Sequence, residues 1–245
     1  MDDNRDFFGE EVAARYDESV AEMFDPDVVE PAVTLLEELA EGGPVLELGI
    51  GTGRLAIPLM ERGLRVQGID LSTAMVARLR EKPLGTDIPV AIGDFATTEL
   101  NERFSLVYLV FNTIMNLTTQ AQQVACFRNV ARHLQPGGCF LIETGMPDLQ
   151  RLPPGETFRP FRVTGDRLGF DEYDVTNQGL ISHHLRVVDD RVERLSIPFR
   201  YVWPAELDLM AELAGMRPRS RWSGWQKEPF SHEKGHLVGV WELPA

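Results

Sequence analysis

Val45-Leu46-Glu47-Leu48-Gly49-Ile50-Gly51-Thr52-Gly53-Arg54 is the stretch whose reading decides the fold. An apolar, β-prone run ends in glycines at alternate positions, and a helix-like pattern begins directly behind them. A glycine-rich turn between strand and helix lets a ligand lie against bare backbone, while the first helical turn offers unpaired N–H groups. The spacing is G-x-G-x-G rather than the G-x-G-x-x-G of a dinucleotide pyrophosphate loop. Glu47 stands just ahead of the first glycine and Arg54 just behind the last. No Gly-Lys-Ser/Thr is present, so phosphoryl transfer has no support.

Outward from this loop, strands and helices alternate. Phe7 to Phe24 reads as an amphipathic helical segment, and Val28 to Leu39 as a helix stopped by Gly42-Gly43. A crossover helix spans Leu55 to Met60, a second strand Leu64 to Ile69 ends at Asp70, and Ser72 caps a helix from Thr73 to Lys82. Ile88 to Ile92 makes a third strand, ending in Gly93-Asp94-Phe95. Phe104 to Phe111, apolar but for Ser105, looks like a strand buried on both faces of a parallel sheet. Thr118 or Thr119 caps a helix to about Leu134, Pro136-Gly137-Gly138 is turn chemistry, and Cys139 to Ile142 is the fifth strand. From Met146 prolines cluster, and Phe161 to Tyr201 reads as antiparallel strands, Tyr173–Thr176, Leu180–Val188 and Arg191–Phe199, with turns at Asn177-Gln178-Gly179 and Asp189-Asp190. Pro204 opens a helix to Ala214, and strands near Arg217–Trp222 and His236–Trp241 finish the sheet.

This pattern is that of an α/β, Rossmann-like sheet wound on both faces. It forms one domain over residues 1–245: a helical cover (1–43), a core (44–145), a β insertion acting as lid (147–202), and a last helix with two strands (203–245). The net charge of −14 opposes a polyanion, so nucleic acid is not expected as a partner. No apolar run reaches the roughly 20 residues that span a membrane, the start of the chain is polar and acidic, and two cysteines make no disulfide framework. A cytoplasmic protein is expected.

Ligands of open α/β sheets bind beyond the carboxyl ends of the strands. Gly49, Gly51 and Gly53 fall there, as do Asp70, which can take both hydroxyls of a ribose, and Asp94-Phe95, a carboxylate for an amino group beside a ring for a base. Phe111-Asn112 follows the fourth strand and Glu143 the fifth. Together they suit a nucleoside carrying a small polar group. Glu47-Leu48-Gly49-Ile50-Gly51-Thr52-Gly53, Gly68-Ile69-Asp70-Leu71-Ser72, Gly93-Asp94-Phe95 and Leu134-Gln135-Pro136-Gly137-Gly138 resemble, in order and spacing, the motifs of the class I S-adenosylmethionine-dependent methyltransferases. The resemblance implies a seven-stranded sheet whose last strand is antiparallel, with S-adenosyl-L-methionine as methyl donor and S-adenosyl-L-homocysteine as product. It implies that the glycine loop holds the methionyl portion, Asp70 the ribose, and Asp94 and Phe95 the adenine, with Met75 packed nearby. Leu71, Phe111 and Asn112 complete the expected donor site, and Arg54 is a candidate for the donor's carboxylate.

The flanks resemble the small-molecule branch of that family, which includes glycine and aminosugar N-methyltransferases. There the N-terminal segment, here Arg15-Tyr16-Asp17, folds over the donor, and the insertion forms a lid and often a homodimer contact. A small organic acceptor, methylated on N, O or nucleophilic C and belonging to bacterial secondary metabolism, is expected. The alternatives are a non-catalytic S-adenosylmethionine sensor and, less favoured by the loop spacing, a nicotinamide oxidoreductase. Candidates for an acceptor base are Tyr16, Glu143, His183 and His184; the two histidines sit on one alternating strand, so only one can face the site. His232 and His236 read as surface residues, and no spacing suggests a metal site.

Overall fold

Strands whose side chains are apolar at every position can be satisfied only between two layers. In the computed structural model, which describes residues 7–189 and 191–245, the chain solves this with a seven-stranded sheet covered on both faces. Its strands are β1 (Val45–Leu48), β2 (Val66–Asp70), β3 (Val90–Ile92), β4 (Phe104–Leu109) and β5 (Leu134–Gly145), joined later by β10 (Arg217–Trp222) and β11 (His236–Glu242). The order is β10-β11-β5-β4-β1-β2-β3. β11 runs antiparallel to both β5 and β10, as expected for the last strand. Four further strands, β6 (Phe158–Val163), β7 (Arg167–Asp174), β8 (Gly179–Val188) and β9 (Arg191–Arg200), form a separate antiparallel meander.

β4 shows why the core is double. Val107 and Leu109 belong to one buried cluster with Leu46, Leu48, Phe140 and Ile142; Leu106 and Tyr108 belong to the other with Val45, Val66 and Leu141. The first cluster is closed by α5 (Gln120–His133) and α6 (Pro204–Leu213), the second by α2 (Pro26–Ala40), α3 (Ala56–Glu61) and Leu79 of α4 (Thr73–Arg80). Strand order reverses between β1 and β4, which opens a crevice at their carboxyl ends. The meander is tied to this core by Arg200, buried and bonded to Gln123 of α5, Gln178 and Glu206 of α6.

Some boundaries differ from expectation. The segment from Phe7 is not one helix: α1 (Glu10–Ser19) stops at Val20, whose φ of −124° leaves the helical range, and a 3-10 turn Ala21–Phe24 follows. Pro136-Gly137-Gly138 is not a turn between elements but a bulge inside β5, since Phe104 pairs Leu134 whereas Leu106 pairs Cys139. The insertion starts pairing at Phe158 rather than Phe161, with Pro160 tolerated because β6 is an edge strand. Its second strand is Arg167–Asp174, and Val175-Thr176 belong to the following turn, where the Asp174 side chain accepts from Thr176 N and Asn177 N. The polar start of the chain over residues 1–6, and Asp190 of the expected turn, lie outside the described residues.

Candidate functional site

The glycine loop leaves the end of β1 at this crevice, beside the end of β2. Gly49, Gly51 and Gly53 all have positive φ (69°, 55° and 81°), a region open to glycine and costly for other residues. A Cβ at Gly49 would strike Thr113 at 2.8 Å, and one at Gly51 would fill the space beside Met75 at 3.4 Å. Asp70, at the end of β2, braces the loop: one carboxylate oxygen accepts from Gly51 N (2.6 Å), the other from Ser72 N (2.8 Å). Ser72 in turn caps α4 through Met75 N (3.2 Å).

Glu47 occupies the second-layer side of β1 and is 4% exposed. Tyr108, its cross-strand neighbour, donates its hydroxyl to the Glu47 carboxyl at 2.7 Å. Burial pushes the Glu47 pKa up to about 8, only partly countered by Tyr108 and by the Arg54 charge. It is therefore largely a neutral acid at pH 7.

The cover closes over this end of the sheet. Phe8 O accepts from Ser72 Oγ (2.7 Å), and Asp17 of α1 accepts from Thr52 Oγ1 (2.6 Å) while pairing with Lys82 Nζ (2.5 Å). Lys82 also donates to Thr52 O (2.8 Å) and lies over the Phe24 ring. Tyr16 is drawn into the same group: burial raises its pKa to about 12, with Arg54, Asp17, Asp70 and Glu47 all close enough to act on it. Arg54 stacks on the Phe111 ring (5.3 Å) and donates to Met23 O (3.3 Å) of the cover. No sequence spacing marks Thr52, Lys82 and Asp17 as partners; the fold alone joins them.

Asp94 turns the end of β3, its side chain accepting from Ala96 N (2.8 Å), and Phe95 packs into the core beside it. Leu71 is exposed at the rim and Met75 buried beneath the loop. After β4, Phe111 and Asn112 are both left-handed (φ 59° and 61°) although neither is glycine. The Asn112 side chain accepts from Gly145 N (2.5 Å) and the Thr144 hydroxyl (3.3 Å), while the Glu143 carboxylate accepts from Phe111 N and bonds His236. His236, read from the sequence as a surface residue, is thus a diagonal cross-strand neighbour of Glu143, because β11 pairs His236 with Gly145.

The structure separates the other candidates. His183 and His184 point to opposite faces of the meander. His183 lies on the outer face, where Nδ1 accepts from Arg194 (3.3 Å) and lies 2.8 Å from Ser196 Oγ, leaving Nε2 to donate to Glu172 (3.1 Å). His184 shares its face with Leu180, which packs into the core, and with Ser182, whose hydroxyl is 3.2 Å from its Nε2. Glu193, on that face too, pairs with Arg15 of α1, so this side looks toward the cover. Trp222 and Trp225 pack against the second core layer, as does Phe111. No group of three or more metal-binding side chains occurs among the described residues.

A loop whose bare backbone borders Met75, a carboxylate braced at the end of the next strand and a second carboxylate at the end of the third fit an adenosyl sulfonium: Asp70 would hold the ribose, Asp94 and Phe95 the adenine, and the glycines the methionyl chain. Known proteins of similar sequence and fold point to the same cofactor. The profile of the family described as "Methyltransferase domain" matches residues 45–138. The chain is 32% identical to the CcbJ methyltransferase from Streptomyces caelestis, each chain covered over 100% of its length with a TM-score of 0.88. It is 27% identical to the cypemycin N-terminal methyltransferase of a Streptomyces species, over 93% of this chain and 97% of that one. Its fold also matches CalS10, an amino pentose methyltransferase from Micromonospora echinaspora solved with S-adenosylmethionine bound, at 20% identity, a TM-score of 0.69, and coverage of 92% and 96%. The chain belongs to the class I S-adenosylmethionine-dependent methyltransferases.

Proposed function

We propose that the acceptor is a small molecule bearing an amine, held between the cover and the inner face of the meander. The observation that carries this reading is Tyr16: a neutral phenol brought by α1 into the group formed by Arg54, Asp17, Asp70 and Glu47. The peptide N-terminus and the amino pentose named for two similar proteins support nitrogen over oxygen or carbon.

When bound, the donor supplies a methyl group on a positively charged sulfur. The remaining work is alignment, because an in-line displacement that dissipates charge gains more from a dry, ordered pocket than from a strong opposing charge. Tyr16 can accept from an amine N–H and turn the nitrogen lone pair toward the loop. The N–C bond forms as the C–S bond breaks, and the amine proton then leaves to a base. His184 is the candidate for that base: its pKa is lowered, first by desolvation and then by the Arg162 charge, which favours the neutral ring that can accept. His183, engaged by Glu172 and Arg194, is assigned a structural part, and Glu143, bonded to Phe111 N and His236, shapes the crevice.

The outer face of the meander supports a homodimer. Phe158, Leu168, Ile181, Val187 and Val192 are exposed and, by the strand register, share that one face. The two buried, unpaired cysteines support a reducing, cytoplasmic setting, and among the described residues no helix is long and apolar enough to cross a membrane. Labelled S-adenosylmethionine offered with aminosugars, peptides with free N-termini, phenols and indoles tests the acceptor: label on nitrogen is expected, and turnover confined to oxygen or carbon acceptors would overturn the reading.

A further inference from the structure

His236 stands outside every motif of the donor site, on the last strand, yet its surroundings define its charge. Nδ1 lies 3.3 Å from Ser223 O, which can only accept, so Nδ1 carries a proton. Nε2 faces a Glu143 carboxylate oxygen. A ring with acceptors at both nitrogens is held as the imidazolium, and Glu143 followed by Glu228 in the neighbouring loop raises its pKa. The other Glu143 oxygen accepts from Phe111 N, the first of two consecutive left-handed residues. Such a backbone persists only where its surroundings hold it. The Phe111 ring then carries Arg54, which reaches the cover at Met23.

We infer that His236 is a positioning residue that, in its protonated form, fixes Glu143 against Phe111 N and so sets the crevice wall on which Arg54 and the donor rest. This rests on the reading of Phe111 as part of the donor cleft. The ring is about a third exposed, so it exchanges protons with solvent and the clamp follows pH. The sign is set by the direction of the shift: with the folded pKa raised, the clamp is intact at and below the ordinary histidine range and is lost as pH rises through the folded value.

Hydrogen exchange at the Phe111 amide, read by NMR without any ligand, tests the clamp itself; calorimetry with S-adenosylhomocysteine tests its effect. In His236→Leu the Phe111 amide should exchange about 10-fold faster and S-adenosylhomocysteine should bind about 5- to 20-fold more weakly at pH 7, as for loss of a charge-assisted hydrogen bond partly transmitted to the site. His236→Gln, whose amide can donate to Glu143 but does not titrate, should recover most of both. Wild-type affinity should fall at alkaline pH where that of His236→Gln stays level, a readout that survives even if His236→Leu does not fold. Unchanged Phe111 exchange in a folded His236→Leu, or superimposable pH profiles for wild type and His236→Gln, would overturn the inference. Faster Phe111 exchange in a protein that never takes up S-adenosylhomocysteine would uphold the clamp while removing the donor site it was thought to serve.

Discussion

Replacing Glu47 by glutamine should flatten part of the protein's pH–stability curve. In the unfolded chain this carboxyl titrates near 4.5, and in the fold burial moves it to about 8. Below pH 4.5 it is protonated in both states and imposes no penalty. Between the two values the unfolded chain sheds a proton that the folded chain keeps, so stability declines with rising pH; above about 8 the loss is complete. Each unit is worth about 1.36 kcal/mol, so the wild type should have lost about 3 kcal/mol on this account by pH 7. The glutamine variant keeps an oxygen for the Tyr108 hydroxyl and has nothing to titrate. All other groups are shared, so the difference between the two denaturation curves isolates Glu47. Chemical denaturation from pH 4.5 to 7 should show the variant gaining on the wild type by about 3 kcal/mol, or roughly 6–12 °C in melting temperature for a chain this long. Parallel curves would mean that the carboxyl is ionised and compensated in the fold, and the assignment of Glu47 as a buried neutral acid would fail.

Asp70→Asn should weaken S-adenosylhomocysteine binding by about 10- to 100-fold in calorimetry, because an amide cannot accept from Gly51 N and Ser72 N through two oxygens; equal affinity would remove Asp70 from the site. Lys82→Ala should raise the KM for the methyl donor severalfold and speed hydrogen exchange across α1, while lowering global stability by no more than about 1 kcal/mol, since the Asp17 pair is partly exposed. Ile181→Asp on the outer face of the meander should convert a dimer to monomers in sedimentation velocity without loss of fold; a wild type that sediments as a monomer at all concentrations would refute that interface. Cys126, buried and with its thiol pushed well up by desolvation, should resist thiol reagents until the protein is unfolded.

The parts of this protein that could be read without coordinates are those where a residue's chemistry is sufficient in itself. The Phe104–Leu109 strand declares its double burial because nothing in it but Ser105 could face water, and Gly49, Gly51 and Gly53 declare their turn because positive φ favours glycine. Phe111 and Asn112 adopt the same backbone region and give no such sign, because their conformation is imposed by Glu143 and Gly145 from the adjacent strand. The Glu143–His236 contact depends on the register of β11 against β5, which neither segment contains alone. Pro136-Gly137-Gly138 carries turn residues but is absorbed into a strand, since a bulge and a turn draw on the same backbone freedom. The start of the meander was obscured for a similar reason: Pro160 reads as a breaker, yet an edge strand has no partner on one side to miss its N–H.

The placement of β11 between β5 and β10 has a consequence for how the protein is made. Residues 236–242 fill an interior lane of the sheet, so no nascent chain that stops short of them can finish it. Until they emerge from the ribosome, β5 presents an open edge of unpaired backbone and Trp241 is missing from beside Phe127 and Phe140. The glycine loop is synthesised early and the strand that steadies the far wall of its crevice arrives last. A chain truncated before this point would therefore leave β5 as an open edge, and it should aggregate instead of completing the sheet.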